Sequence, residues 1–330
     1  MNVKPYIMKT KLLAIAAACI ALMSGMTLRA QTTSLEREFS EFCSIEASND
    51  FDVAISRGGY GLNLTVDQAI ADCVISYVKG KVLFLGLDEK AIPKEIKKQY
   101  KGKGVPAPTL RAIVYLPEGY IESIKLTDNA TLAANQPLNS NKFDVELSGN
   151  SNIRGLTINT GTAEINLSKK TNAVLTVNAE KNLRVNTEGS SSLKLAQTSE
   201  ELSVKSGNSS VIIISGNTKN LDITSGGSSQ VQVTSELTKA DVDASNSSKV
   251  SLSGKAASIQ VRGSNSAFID ATAMPTEKAI VQLSGADMNI NASEEIKVEL
   301  VSGGELYYSG DPDFKIVKVI KSTLAPVGTK

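Results

Sequence analysis

The chain has 330 residues, a formal net charge of +1, no histidine and no tryptophan. So small a net charge provides no field to draw in nucleic acid. The missing histidine removes Ser-His and Cys-His nucleophile systems and the commonest neutral-pH acid–base group.

Residues 1–30 read as an export signal. Lys9 and Lys11 form a basic start, Leu12 to Met23 an apolar run, and Leu28-Arg29-Ala30 ends on a small residue, so the mature chain is expected to begin at Gln31. Met8 is an alternative start. A retained anchor needs ~20 apolar residues, more than the run supplies. A competing reading lipidates Cys19 after Ala16-Ala17-Ala18, but the apolar run continues beyond it. The expected location is the periplasm or the cell surface, with no transmembrane span left after cleavage.

Residues 31–41 are polar and read as a flexible leader. The mature chain keeps Cys43 and Cys73. Outside the cytoplasm such a pair suggests a disulfide; two separately buried thiols is the other reading. Two cysteines with no histidine leave too few soft ligands for a metal site, and no cofactor is expected.

Residues 42–141 form a strand-rich section. Phe51–Ile55, Leu62–Val66, Val74–Val78 and Val82–Leu85 read as strands, punctuated by Gly58-Gly59 and Lys79-Gly80-Lys81. Residues 88–108 break the pattern with Pro93, Pro106, Pro108 and a cluster of Lys90, Lys94, Lys97, Lys98, Lys101 and Lys103. They read either as a solvated loop with one helical turn or as a basic patch for an anionic glycan or phosphate surface. Strands resume at Leu110–Leu116 and at Ile121–Leu126.

From residue 142 to 312 the sequence repeats. Leu183, Leu202, Leu221, Ala240 and Ile259 recur every 19 residues. Apolar residues follow each start at offsets 2, 10 and 12, as in Val204, Ile212 and Ile214. A spacing of two is strand periodicity. Between the two apolar pairs lie Gly189-Ser190-Ser191, Asn208-Ser209-Ser210, Gly227-Ser228-Ser229, Asn246-Ser247-Ser248 and Asn265-Ser266-Ala267, a corner of residues that tolerate positive φ. Such a unit cannot bury its apolar face alone, so the pattern predicts an all-β solenoid, a parallel β-helix of stacked rungs. A sandwich has no need of the same residue types in the same column of every unit.

Flanking units fit less regularly. Phe143, Val145 and Ile153 fit three offsets; Ile165, Leu167, Leu175 and Val177 are read as fitting all four, as are Ile296, Val298, Leu306 and Tyr308. Between them, Val281, Met288 and Ile290 fit after a one-residue slip near Met274-Pro275-Thr276. About eight rungs are expected, followed by a tail at residues 313–330.

Several motifs, taken in order, resemble a family of exported bacterial proteins described as putative auto-transporter adhesin, head GIN domain. They are Phe42, Ile45, Asp52, Val53 and Ile55; Lys79-Gly80-Lys81-Val82-Leu83; Val114-Tyr115-Leu116-Pro117; the repeated Ser/Gly/Asn corners; and Ser302-Gly303-Gly304-Glu305-Leu306-Tyr307-Tyr308-Ser309-Gly310-Asp311-Pro312. The resemblance covers nearly the whole mature chain. It implies a β-helical fold and an adhesin-like role, and it carries no catalytic residues.

Parallel β-helices also host polysaccharide-cleaving enzymes, so fold alone does not decide function. Asp222 and Asp241 share an outward column and would stack about one rung apart, near the separation of a retaining glycosidase pair. Asp243 and Asp270 lie on other outward columns. Arg184, Ser203 and Gln260 occupy the rest of the Asp222 column, which also reads as a mixed solvated face. The corner Ser and Asn residues either hydrogen-bond from rung to rung or present hydroxyls to a glycan. Tyr307 and Tyr308 are adjacent aromatics, of which alternation turns one outward.

The expected function is that of an exported, non-catalytic envelope protein. It would be an adhesin or interaction scaffold contacting a protein or glycan through its long surface. The alternative is a carbohydrate-binding or polysaccharide-cleaving β-helix.

Overall fold

A computed structural model of the chain describes residues 31–101, 104–328. The expected export signal, Cys19 and Lys103 lie outside these residues. The chain is nearly all β and winds into a solenoid of about 11 turns at roughly 19-residue spacing.

The first part comprises β1 (Thr32–Glu38), β2 (Ser44–Ala47), β3 (Asp52–Arg57), β4 (Gly61–Asp67), β5 (Val74–Lys79), β6 (Val82–Leu87), the short helix α1 (Lys94–Gln99), β7 (Leu110–Leu116), β8 (Ser123–Leu126) and β9 (Thr131–Ala134). Its rungs are not stacked in chain order. The rung formed by β2 and β3 is sandwiched between two later ones. On one side β2 pairs parallel with β6 and β3 with β7; on the other, β2 pairs with β8 and β3 with β9. Beyond β6 and β7 the end is closed by antiparallel strands, with β5 on β6, β4 on β7 and β1 on β4. The polar segment expected as a flexible leader therefore forms a cap strand. Leu35 of β1 packs on the core, and each of its seven residues faces one of β4.

The second part stacks in sequence order: β10 (Leu138–Leu147), β11 (Asn152–Leu167), β12 (Asn172–Ala179), β13 (Asn182–Thr187), β14 (Ser192–Ser206), β15 (Val211–Ser225), β16 (Gln230–Ala244), β17 (Lys249–Ser264), β18 (Phe268–Ser284), β19 (Asp287–Val301), β20 (Glu305–Ser309), β21 (Asp313–Ile320) and β22 (Thr323–Pro326). From β13 to β17 the register steps by 19, joining Leu183, Leu202, Leu221, Ala240 and Ile259 in one column and Leu193, Ile212, Val231 and Val250 in another. All of these side chains are buried.

Earlier rungs are one residue longer. Phe143 pairs with Ala163 and Ala163 with Leu183, so Ile165 stacks on Val185 and Leu175 on Leu195. The expected unit starting at Ile165 is thus shifted by two residues: its true first and third columns hold Ala163 and Ala173, too small to stand out as apolar anchors. The slip near Met274 is a bulged stretch, across which the pairing jumps from Ala271↔Ile290 to Thr276↔Ala292. The segment expected as a C-terminal tail supplies β21 and β22, which pair with β19 and β20.

The corner column adopts positive φ throughout. Gly149, Lys169, Gly189, Asn208, Gly227, Asn246 and Asn265 lie between 54° and 79°. At Gly189 an added Cβ would stand 2.5 Å from the Lys169 carbonyl oxygen of the preceding rung, so close stacking demands glycine there.

The interior holds more columns than the four that the sequence displays. The third residue of each corner triplet turns inward, giving a buried file of Ser191, Ser210, Ser229 and Ser248. Gln197, Ser199, Thr218 and Ser235 also point in. Burial of these groups requires partners. Ser210 Oγ lies 2.9 Å from Ser206 Oγ and donates to the Gly207 carbonyl at 2.8 Å, and Ser229 repeats this with Ser225 and Gly226. Bonds from rung to rung are made at this third position, where Ser229 donates to the Ser206 carbonyl at 3.4 Å and Ser248 to the Ser225 carbonyl at 3.2 Å, while Ser190, Ser209, Ser228 and Ser247 stay exposed.

Candidate functional site

Strand alternation turns Arg184, Ser203, Asp222 and Asp241 outward in one column, beside a second of Asn182, Glu201, Asn220 and Lys239. Between the two columns runs an open groove of about 430 Å³. Asp222 and Asp241 are direct rung neighbours, as expected. Lys239 Nζ lies 2.6 Å from Asp241 Oδ2. Asp243 stands one column away and accepts from Arg262 Nε at 3.4 Å, whereas Asp270 accepts from the Thr272 amide and hydroxyl. Amide, hydroxyl and ionic side chains line the groove together with Leu183, Leu202 and Leu221.

A larger open groove, about 610 Å³, runs along another side of the same rungs, past Thr198, Asn217, Lys219, Glu236, Thr238 and Lys255. Sequence reasoning passed over it, although Thr198, Asn217, Glu236 and Lys255 recur at the 19-residue period and form one column. Lys219 Nζ donates to Glu200 Oε1 at 2.7 Å and holds that carboxyl below the usual range. Outward asparagines form ladders of their own: Asn178 Nδ2 donates to Asn159 Oδ1 at 2.9 Å, and Asn159 to Asn139 at 3.3 Å.

The remaining candidate residues lie elsewhere. Lys94, Lys97 and Lys98 sit on α1 at the capped end, several rungs from Asp222. The segment is not a free loop. Ile92 is buried, Ile96 packs on the core, and Tyr100 donates its hydroxyl to the buried Asp67 at 2.6 Å. Burial, reinforced by that carboxylate, pushes the Tyr100 phenol well above its ordinary value. Replacing Tyr100 with Phe is expected to cost about 1.5–3 kcal/mol, as for a hydrogen bond to a charged group. Since the phenol's folded value is raised, this contribution is full below pH ~10 and fades as pH rises further. Denaturant melts at neutral and alkaline pH, compared between wild type and Tyr100→Phe, check both statements.

Tyr307 and Tyr308 lie near the opposite end. Tyr307 faces out and donates to Glu305 Oε2 at 3.1 Å, while Tyr308 packs edge-on against Phe314 with ring centroids 4.7 Å apart. Of the candidates distant in sequence, Asp222 and Asp241 are brought together as rung neighbours.

The two cysteines are separate buried thiols, which corrects the expected disulfide. The Cys43 amide bonds to Lys81 just before β6, and the Cys73 carbonyl accepts from Asp88 just after it. Seven residues of strand at ~3.3 Å each hold them about 20 Å apart, far beyond the ~7 Å limit for a bridge. Cys43 Sγ donates instead to Glu122 Oε2 at 3.2 Å, and Tyr120 donates to Oε1 at 2.8 Å. Burial pushes both thiols up, whereas the bonds from Cys43 and Tyr120 hold the Glu122 carboxyl down. Such thiols carry little thiolate and react sluggishly.

Among the described residues no helix is long and apolar enough to cross a membrane, and no cluster of potential metal ligands occurs. No curated protein matches the chain. Solved structures that match include a putative lipid-binding protein of Parabacteroides distasonis, at 16% identity, covering 90% of this chain and 95% of that one, with a TM-score of 0.27. A putative adhesin of Bacteroides fragilis matches at 14% identity, covering 92% and 100%, with a TM-score of 0.29. One from Parabacteroides merdae matches at 15%, covering 91% and 97%, with a TM-score of 0.36. A family model matches three times in succession, over residues 41–181, 163–235, 217–312. The repeats and the strand-rich first part thus fall under one description, and the chain belongs to the family described as "Putative auto-transporter adhesin, head GIN domain".

Proposed function

We propose that the protein is an exported, non-catalytic envelope adhesin that contacts a glycan or protein through the outer columns of its solenoid. The observation that carries this reading is the pair of open grooves running across successive rungs, each repeating hydrogen-bonding side chains at the rung interval. A repeated column of this kind offers the same contact again and again, which suits a polymeric ligand and raises avidity without any single strong site. The polar lining supplies orientation for hydroxyl-rich partners, and the paired Lys239 and Asp241 add a charged contact. The basic start and apolar run of residues 1–30 support export. N-terminal sequencing of the envelope-associated protein should return Gln31; a lipidated Cys19 at the terminus would refute that processing.

A glycan array run beside polysaccharide hydrolysis assays tests the activity. Binding without turnover is expected. Asp241→Asn should weaken binding at most a few-fold, as removal of one exposed ion pair does. Turnover of any polysaccharide that is abolished by Asp241→Asn would overturn the non-catalytic reading.

A further inference from the structure

Helix α1 has two unlike faces. Ile96 and Tyr100, with Ile92 just before the helix, pack on the core, and the Tyr100 hydroxyl is fixed to Asp67 at 2.6 Å. Lys94, Lys97 and Lys98 take positions i, i+3 and i+4 of the other face, and Lys101 follows at i+7. Lys90 precedes them by four residues. Lys97 is half-buried and the other four are exposed. Among the described residues none of the five forms an ion pair. The nearby acids are engaged elsewhere or point aside. Asp88 accepts from the Lys90 and Ala91 amides and Glu89 from Asn49 Nδ2, while Glu95 lies about a quarter-turn round the helix from Lys94. Like charges at this spacing repel, so burial of the apolar face holds the lysine stripe together against its own electrostatics. Two further observations concern what meets it. Ile75 and Tyr77 of β5 are 39% and 45% exposed. The Cys73 carbonyl, two residues before Ile75, accepts from the Asp88 amide at 2.8 Å, which ties the start of β5 to the start of the Lys-rich segment. The expected export signal joins the fold at this corner too, since the Gln31 carbonyl accepts from the Gln68 amide at 2.7 Å, next to the Asp67 that holds Tyr100.

We propose that the capped end rests on an anionic lipid surface, with the lysines of α1 meeting headgroup phosphates and Ile75 and Tyr77 entering the interfacial layer. A lysine cluster of this size on an amphipathic helix is attracted to an anionic leaflet, and tyrosine suits the boundary between water and acyl chains. Lysines act as mobile point charges that need no fixed geometry from the phosphates they meet. The stripe lies on the outer side of a helix, a convex shape that suits a broad surface better than a single polymer strand. A hydrated polysaccharide would satisfy the charges and leave the apolar pair unused, so the observations favour the membrane. The grooves stay free in this arrangement, because they lie several rungs from α1. The inference is independent of what the grooves bind and fails separately from it.

Vesicle co-sedimentation of the exported protein tests the proposal. Binding is expected to phosphatidylcholine vesicles holding about one-third phosphatidylglycerol and not to phosphatidylcholine alone, and it should fall steeply as salt rises from about 0.05 to about 0.5 M. Lys94→Gln, Lys98→Gln and Lys101→Gln should each lower the partition coefficient about fivefold, and the triple variant about a hundredfold. Ile75→Ser should lower it by roughly a few-fold through lost apolar contact. Lys194→Gln and Lys205→Gln, at exposed positions of the repeats, should leave it unchanged. Far-UV circular dichroism verifies that each variant keeps the fold. No binding to anionic vesicles at low salt, binding that survives the triple variant, or an equal loss from the repeat lysines would overturn the proposal. Equal capture by a soluble polyanionic polysaccharide, with Ile75→Ser silent, would overturn the choice of a membrane.

Discussion

Ile212→Asp is expected to leave little folded protein. Ile212 is fully buried, with Leu193 stacked on one side and Val231 on the other. An aspartate there would lose the dispersion contacts of the isoleucine and place a carboxylate where no donor is present. Burying a charge without a partner is among the few single changes that cost more than about 4 kcal/mol. The loss would also spread, because each rung is stabilised chiefly by its neighbours and a broken rung uncouples those on both sides. Lys205→Asp, on the exposed column between Asn186 and Thr224, should shift stability by no more than ~0.5 kcal/mol. Chemical denaturation of the two variants beside the wild type measures this. Equal tolerance at both sites would refute the register.

Gly216→Ala should be nearly as damaging, although it adds a single methyl group. Gly216 has φ of 128°, and a Cβ built on it would lie 1.8 Å from the carbonyl oxygen of Gln197 in the preceding rung. Neither atom can yield without parting the two rungs, since one is backbone and the other is fixed to it. The strained φ alone costs about 1–3 kcal/mol, and the clash adds to that. Gly155, with open space around its Cβ position, is the internal control and should accept alanine. Hydrogen exchange would localise the damage, with protection lost first along β14 and β15. A Gly216→Ala protein as stable as Gly155→Ala would show that the backbone here departs from this path.

The legibility of this chain follows from repetition. The columns of Leu183 and Val185 stand out because aliphatic residues recur at a fixed step, and the corner stands out because few residue types suit positive φ. Where either condition fails the sequence falls silent. Ala163 and Ala173 are too small to announce the start of a rung, so the apolar pattern alone puts Ile165 one column early. Gln197, Ser199 and Thr218 look like surface residues and are buried, because stacking adds partners from the next rung: Gln197 donates to the Asn217 carbonyl and Ser199 to Thr218 Oγ1. The antiparallel cap and the placement of β2 between β6 and β8 depend on pairings far apart in the chain, which no local pattern encodes. The Asp222 and Asp241 pair was legible from column position alone. The second groove lay in a column of Thr, Asn, Glu and Lys, whose mixed chemistry conceals its alignment.

The interleaved first rungs bear on how the chain reaches its fold. Beyond β13 each rung pairs with one formed 16–20 residues earlier, so folding can advance turn by turn as the chain emerges. The β3 strand behaves otherwise. Asp52 must wait for Arg111 on one side and for Thr131 on the other. Closing loops of that span lowers folding rates, because the entropy of the intervening chain is lost before any contact compensates it. The first strands to emerge would therefore be among the last to become secure. Until residue 134 has appeared, β2 and β3 lack a neighbour on one side, and a holding chaperone or a slow translocation step would protect them most. The later repeats need no such help, and their number could change over evolutionary time without disturbing this slow start.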